Sequence, residues 1–193
     1  MTKYILHGGK TSVSNLHNKK FYQKMFKAAK GKPILACYYS RPYKEWEYLL
    51  ESDTERMKRS VGNEKFEIIY ASKNAKEFLE QIRQANAVYF RGGDTLRLME
   101  KLKLVRLRLK KVFSGKTILG SSAGALFLAK YYYSHDQSTI QKGFDILPVK
   151  IMTHYLSSGR YSATSGKEKL QMLKDHKEKL PVYAIKETEF REI

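Results

Sequence analysis

The sequence predicts an α/β fold in which a mainly parallel sheet carries helices on both faces. Apolar runs alternate with helical patterns almost from end to end of the 193 residues, as in chains that return to one sheet through crossover helices. The run 34–39 is apolar without alternation, as expected for a strand covered on both faces. The chain has no internal repeat and no Pro- or Ser-rich linker, so residues 1–193 are predicted to form one domain.

The expected elements follow from the apolar spacing. Strands are expected at residues 3–7, 33–39, 66–71, 87–90, 116–120, 149–154 and 182–185, and helices near 18–30, 43–60, 74–83, 95–113, 123–132 and 166–179. The segments 134–143 and 157–166 are expected to be exposed loops. In the helix over 95–113, Leu98, Leu102, Val105, Leu109 and Val112 recur at helical spacing, so its many cations are expected on the opposite, solvated face.

The composition is strongly basic, with 37 Lys and Arg against 19 Asp and Glu and a formal net charge of +18. Such a balance favours nucleic acid, anionic surfaces or acidic substrates as partners. Because the cations are spread along the chain without a basic arm, we expect nucleic-acid binding only through non-specific charge attraction.

The cellular setting is expected to be the cytoplasm. No apolar stretch approaches the roughly 20 residues of a membrane-spanning helix, so no membrane partner is expected. The first apolar run is too short for a signal peptide. The single cysteine, Cys37, lies in an apolar run and excludes an intrachain disulfide.

Residues 120–124 form a G-x-S-x-G pattern centred on Ser122, between an apolar run and the start of a helix. A strand-to-helix elbow of this kind presents the serine hydroxyl to a base, and the helix N-terminus favours the negative charge that develops on attack. On its own, the pentapeptide is equally typical of a small-residue turn where a helix packs closely on a sheet.

A second strand end carries the double glycine Gly92-Gly93, followed by Asp94 or Thr95 as the cap of a helix. Glycines there let backbone N–H groups point into the crevice beyond the strand ends, as an oxyanion hole requires. One such donor stabilises the transition state by about 3 kcal/mol. A tight turn between strand and helix would have the same sequence.

Among the histidines, His154 is the favoured general base because it follows the serine in the chain and ends an expected strand. His135, in a polar loop, is the second candidate. His7 ends the first strand and could reach the same crevice. No spacing of His, Cys or acidic residues resembles a metal site.

A triad also needs a carboxylate that orients the imidazole. Glu187 directly follows the expected strand 182–185, so it should emerge at the same edge of the sheet as Ser122 and His154. Glu189 is a near alternative and Asp136 a more distant one. The expected order is therefore nucleophile, base and acid at Ser122, His154 and Glu187.

These blocks resemble the S51 serine peptidases, which include aspartyl dipeptidase (peptidase E) and cyanophycinase. The matching segments, in the family's order, are 92–95 (G-G-[ND]-T), 120–125 (G-x-S-A-G-A), 153–155 around the histidine, and 182–187 near the end. The resemblance covers most of residues 85–190.

The resemblance implies a three-layer, flavodoxin-like sandwich related to class I glutamine amidotransferases, without a metal or organic cofactor. It implies that Ser122 attacks an amide carbonyl, with His154 as base and then acid and Glu187 orienting it. Backbone N–H groups of Gly92, Gly93 and Ala123 would hold the oxyanion.

Substrate choice is less clearly marked. Relatives favour aspartate at the bond that is cleaved and use cations to hold its carboxylate. The arginine-rich stretch after the histidine is reduced here to Arg160, which, with Asp94, is a candidate substrate-binding residue. Lys186 replaces the proline that often precedes the final acid, so the choice between Glu187 and Glu189 stays open.

The expected function is a serine peptidase that cleaves short peptides, with an acidic residue at the scissile bond as the finer expectation. One alternative is an esterase or amidase that uses the same triad on a non-peptide acyl group. Another is a non-catalytic relative that binds acidic ligands or nucleic acid. The expected assembly is a monomer or a homodimer.

Overall fold

The computed structural model describes the backbone of residues 1–157 and 163–193, and the side chains of residues 1–157 and 166–193. Its first sheet has the strand order β10–β1–β5–β4–β2–β3. All neighbours in it are parallel except β10, which pairs antiparallel with β1 at the edge. The strands are β1 (Lys3–His7), β2 (Ile34–Cys37), β3 (Ile68–Tyr70), β4 (Ala87–Phe90), β5 (Thr117–Ser121) and β10 (Phe190–Glu192).

The helices of the described residues are α1 (Leu16–Ala29), α2 (Trp46–Val61), α3 (Ala75–Gln84), α4 (Thr95–Leu102), α5 (Arg106–Val112), α6 (Ala123–Leu126) and α7 (Ala163–Asp175). Helix α1 packs on α2, and α3 packs on α5. The result is the mainly parallel, three-layer α/β fold that the sequence predicts. Within the described residues, no helix is both long and apolar enough to cross a membrane.

A second sheet, which the sequence predicted only in part, follows the serine. It has the order β7–β6–β8–β9, with β6, β8 and β9 parallel and β7 antiparallel to β6. Its strands are β6 (Ala129–Ser134), β7 (Thr139–Lys142), β8 (Leu147–Met152) and β9 (Val182–Ala184). The helix expected over 123–132 is therefore wrong beyond Leu126, and the loop expected over 134–143 contains β7.

The early end of α6 has a physical cause in the chain that follows. The backbone N–H of Phe144 donates to the carbonyl oxygen of Phe127 at 2.8 Å, and those of Ile146 and Leu147 donate to Leu128 at 3.0 and 2.9 Å. A longer helix would need these carbonyls for its own hydrogen bonds. Pairing with residues 144–147 takes them and turns the chain into β6.

The helix expected over 95–113 is also interrupted, by a 3-10 turn at Lys103–Val105 between α4 and α5. Its predicted apolar stripe is nevertheless buried throughout, from Leu98 to Val112. Leu104 and Leu107 do not belong to this stripe and are 88% and 93% exposed.

One apolar cluster joins the two sheets. It includes Ile5 and Leu119 from the first sheet and Tyr132 and Ile151 from the second. Strand β2 is fully buried, as its sequence predicts. Cys37 lies in this core, where burial raises the pKa of its thiol.

Candidate active site

A cleft of about 600 Å³ opens at the edge where the parallel strands end, the usual place for a ligand in such a sheet. It is lined by residues 9–12, 40–42, 91–95, 121–122, 134–136 and 153–154, together with Arg97 and Leu126. The loops after strands of both sheets therefore meet at one site.

Ser122 stands on a strained turn between β5 and α6. Its φ of 49° and ψ of −113° lie outside the regions that non-glycine residues usually adopt. The turn is held by the Ser122 N–H, which donates to the carbonyl oxygen of His7 at 3.0 Å. It is also tightly packed, because a Cβ on Gly124 would lie 1.9 Å from the carbonyl oxygen of Phe90. This is the elbow geometry that the pentapeptide predicted.

His154 follows β8 and faces the serine. Its Nε2 lies 2.9 Å from Ser122 Oγ. The histidine backbone has a φ of 54°, and its N–H donates to the carbonyl oxygen of Gly8 at 3.0 Å, which links the loop after β8 to the loop after β1.

Glu187 lies between β9 and β10 and reaches the other side of the imidazole. Its Oε1 is 2.9 Å from His154 Nδ1. Burial favours the neutral acid, but hydrogen bonds from Lys10 and His154 outweigh it and lower the pKa of Glu187. An ionised carboxylate only accepts hydrogen bonds, so Nδ1 carries the proton and Nε2 is free to accept from the serine hydroxyl.

The alternative acids occupy other positions. Glu189 meets the loop after β1 through its backbone, accepting from the Gly8 N–H at 2.9 Å. Asp136 lines the cleft on the loop after β6. Among the three candidates, the Glu187 carboxylate lies 2.9 Å from His154 Nδ1.

The other candidate histidines also lie near the site. His135 lines the cleft, and its Nε2 lies 2.9 Å from the carbonyl oxygen of Thr153; burial lowers its pKa. His7 is fully buried behind the cleft, where Nδ1 accepts from the Gly9 N–H at 3.0 Å and Nε2 contacts Asn18 Oδ1 at 2.8 Å. Burial lowers the pKa of His7 to about 4, so it is neutral near pH 7.

The turn after β4 is tethered to the loop after β2. Ser40 Oγ donates to the carbonyl oxygen of Arg91 at 2.8 Å, and Arg41 Nε donates to that of Gly92 at 3.0 Å. In a trans peptide the N–H points opposite to the C=O, so the N–H groups of Gly92 and Gly93 point away from that loop. Neither has a hydrogen-bond partner among the described residues. Ala123 is the first residue of α6, whose N-terminus supplies a third N–H.

A buried ion pair supports this turn, and the sequence reasoning missed it. Arg91 Nε lies 3.0 Å from Asp53 on α2, whose carboxylate also contacts Arg56 at 2.9 Å and accepts from the Tyr38 hydroxyl at 3.1 Å. Asp53 is 1% exposed. The signal in the sequence is its place in the buried stripe of α2, four residues after Leu49.

Lys10 is the second residue that sequence reasoning missed. Its Nζ lies 2.6 Å from Glu187 Oε2. A lysine after Gly8-Gly9 resembles any other surface lysine of this chain, and its place at the end of β1 was the only available signal.

The predicted substrate-binding residues have different outcomes. Asp94 lines the cleft, where its Oδ1 accepts from the Arg97 N–H at 3.0 Å and caps α4. Arg160 lies outside the described residues, as do residues 158–162 of the loop expected over 157–166. The loop expectation is wrong at its end, because α7 begins at Ala163. Among residues 1–157 and 166–193, no group of three or more His, Cys, Asp or Glu side chains could hold a metal ion.

The charge of the cleft is mostly positive. Its basic side chains are Lys10, Arg41, Arg91 and Arg97, and its acidic ones are Asp94 and Asp136. Lys10 and Arg91 are paired with buried or half-buried carboxylates. Arg97 has no ion pair within the described part of the chain, so its charge is available to a ligand.

The chain is similar to one protein family and to several solved structures. The model of peptidase family S51 matches residues 39–190. A comparison with curated proteins finds no match. A peptidase from an acI-B1 Actinobacterium has a TM-score of 0.73 at 19% identity, over 100% of this chain and 83% of that one. A putative peptidase E protein from Listeria monocytogenes EGD-e has a TM-score of 0.67 at 16% identity, over 96% and 90%. At such identities these likenesses show the shared fold.

Proposed function

The chain belongs to peptidase family S51, and we propose that it is a serine-type peptidase that hydrolyses short peptides. Ser122 is the nucleophile, His154 the general base and acid, and Glu187 the residue that orients the histidine. The observation that carries the proposal is the continuous chain of two 2.9 Å contacts, from Ser122 Oγ to His154 Nε2 and from His154 Nδ1 to Glu187 Oε1.

The proposed reaction follows from these contacts. Ser122 Oγ attacks the peptide carbonyl while its proton passes to His154 Nε2, and Glu187 stabilises the imidazolium that forms. His154 then gives the proton to the departing amine, which leaves an acyl-enzyme. A water molecule, deprotonated by the same Nε2, hydrolyses the ester and regenerates Ser122.

The negative oxygen of the tetrahedral intermediate needs donors that are already in position. The N–H groups of Gly92, Gly93 and Ala123 are the proposed oxyanion hole. Two features support this role: the N–H groups of Gly92 and Gly93 lack other partners among the described residues, and a Cβ on Gly92 would lie 3.2 Å from Ser122 Cβ. One donor of this kind lowers the activation free energy by about 3 kcal/mol.

We propose that the preferred substrates carry an acidic residue at the scissile bond. The positive charge of the cleft supports this preference, with Arg97 and Arg41 as the candidates to hold the substrate carboxylate. An arginine can meet a carboxylate through two parallel hydrogen bonds, which gives direction as well as energy.

Hydrolysis of a dipeptide panel tests the proposal. Asp-X, Glu-X, Asn-X and Ala-X are incubated with the wild type, with Ser122→Ala and with Ser12→Ala, which makes the same change at an exposed serine of the same cleft. We expect Ser122→Ala to lower kcat by at least about 10⁴-fold with little change in Tm, and Ser12→Ala to retain activity.

Each outcome of the panel has a definite meaning. Turnover of Asp-X above the other dipeptides, lost only in Ser122→Ala, supports both the reaction and the acidic preference. Undiminished turnover in Ser122→Ala contradicts the proposed nucleophile. If the folded wild type cleaves no dipeptide, a non-peptide acyl substrate or a binding role replaces the proposal.

A further inference from the structure

The triad carboxylate is shared between two cations. Glu187 Oε1 faces His154 Nδ1 at 2.9 Å, and Oε2 faces Lys10 Nζ at 2.6 Å. The Glu187 side chain is 15% exposed, so its carboxylate lies in a partly desolvated place, whereas the Lys10 side chain is 49% exposed. Coulomb interactions are less screened there than at the surface. The charge of Lys10 therefore weakens the interaction between this carboxylate and the imidazole of His154.

The backbone of Lys10 is held in place, unlike that of a free surface lysine. Its φ is 53°. Its carbonyl oxygen accepts from Asn18 Nδ2 at 2.9 Å, and Asn18 in turn contacts the buried His7. The preceding residue, Gly9, accepts from the N–H of Thr188, next to Glu187, at 3.0 Å. The ammonium of Lys10 is thus directed at Glu187 by the same loop contacts that assemble the site.

Other ionisable groups lie around the triad. His7 from β1 and His135 from the loop after β6 interact electrostatically with His154. Asp136 and Lys169 act on His135, and Lys186 and Glu189 lie beside Glu187 in the chain. His7 is neutral in the working pH range because burial lowers its pKa to about 4. Within the described residues, Lys10 is the cation that forms an ion pair with the second oxygen of Glu187.

Resting on the function proposed above, we propose that Lys10 is a positioning residue of the triad, which keeps Glu187 ionised and oriented and weakens the hold of His154 on a proton. Lys10 would then have two opposing effects on the imidazole. The site keeps its base unprotonated to lower pH, but the imidazole is a weaker base than it would be beside an unshared carboxylate.

The test is the titration of the His154 imidazole by NMR, assigned with a His154→Gln variant. We expect the midpoint in Lys10→Met to be about 0.5 to 1 pH unit higher than in the wild type, because the carboxylate then acts on His154 alone. Lys10→Arg keeps the cation and should titrate like the wild type. Lys20→Met, an exposed lysine on α1, is the matched control for the loss of one charge.

Kinetics supply the second readout. In Lys10→Met, the acid limb of the pH profile of kcat/KM should shift to higher pH by the same amount as the His154 midpoint, with KM unchanged at high pH. Identical titrations of His154 in the wild type and Lys10→Met overturn the proposal, as does a rise in KM without a shift, which would make Lys10 a substrate contact. The titration needs no turnover, so a shifted midpoint without peptide cleavage counts against the proposed function and not against Lys10.

Discussion

Glycines with positive φ differ between the two edges of the first sheet. At the edge where strands begin they follow helices and have open space around them, whereas at the edge where strands end Gly9 packs against His154. Gly115, between α5 and β5, has a φ of 74° and nothing within 4 Å of a would-be Cβ. Gly9, after β1, has a φ of 116°, and its Cβ would lie 2.2 Å from His154 Cε1. At Gly115 a side chain would strain only the backbone, whereas at Gly9 it would also displace the His154 ring.

Three non-glycine residues with positive φ lie at the edge where strands end. Ser122, His154 and Lys10, with φ of 49°, 54° and 53°, all line the candidate active-site cleft. Such backbone persists only where surrounding contacts hold it. Here the holding contacts are hydrogen bonds between loops, such as those from Ser122 to His7 and from His154 to Gly8. Substitutions at the edge where strands end should therefore change activity more than those at the edge where strands begin.

The largest loss of activity at the edge where strands end is expected at Glu187. If Glu187 is the triad acid, as proposed, Glu187→Gln removes the charge that stabilises the imidazolium and no longer fixes the Nδ1–H tautomer, so kcat should fall by roughly 10³- to 10⁴-fold. Glu189→Gln, the same change two residues away, should have little effect. Steady-state kinetics of both variants would decide, and a larger loss in Glu189→Gln would reassign the acid.

A smaller loss is expected when Gly9 is replaced. In Gly9→Ala the new Cβ must displace the His154 ring, and a shift of about 1 Å lowers kcat by at least about 100-fold. The variant should also be less stable, because φ of 116° is strained for alanine. Kinetics together with a urea titration separate the two effects; unchanged kcat would show that the loop is free to move away.

His7 should make the free energy of unfolding depend on pH. Its folded pKa of about 4 lies below its ordinary value of 6.5, so its contribution is intact above about pH 6.5 and is lost as pH falls towards 4. The full loss is about 3 kcal/mol. His7→Gln should flatten this dependence in urea titrations between about pH 7 and pH 4.5, while His17→Gln, at an exposed histidine of α1, should not.

The smallest effect is expected at the opposite edge. Gly115→Ala should lower the free energy of unfolding by about 1 kcal/mol, because alanine is strained at positive φ although it meets no neighbour. Its kcat and KM should equal those of the wild type. A loss of activity here would break the division between the two edges.

The sequence predicted best what depends on local chemistry. The small residues around Ser122 predicted the elbow, and the bounds of β1 and β4 agree with those expected. The helix expected beyond Leu126 failed because residues 144–147, far along the chain, take the carbonyls that it would need. No local pattern around residues 127–132 carries that information.

The site shows the same limit. His154 and Glu187 were candidates because they end or follow strands, but only the fold brings them within 2.9 Å of each other. Lys10 looked like one of many surface lysines, since nothing in the sequence ties it to a glutamate 177 positions later. Asp53 was missed because a buried acid in an amphipathic helix becomes meaningful only beside its arginine.

Labelling with a fluorophosphonate, which traps the attacking oxygen, tests the proposal that Ser122 is the nucleophile. Tryptic digestion isolates residues 117–130, which contain both Ser121 and Ser122. We expect one adduct, on Ser122, that is absent from Ser122→Ala and retained in Ser121→Ala. An adduct on Ser121, or peptide hydrolysis that continues at full rate in Ser122→Ala, would contradict it.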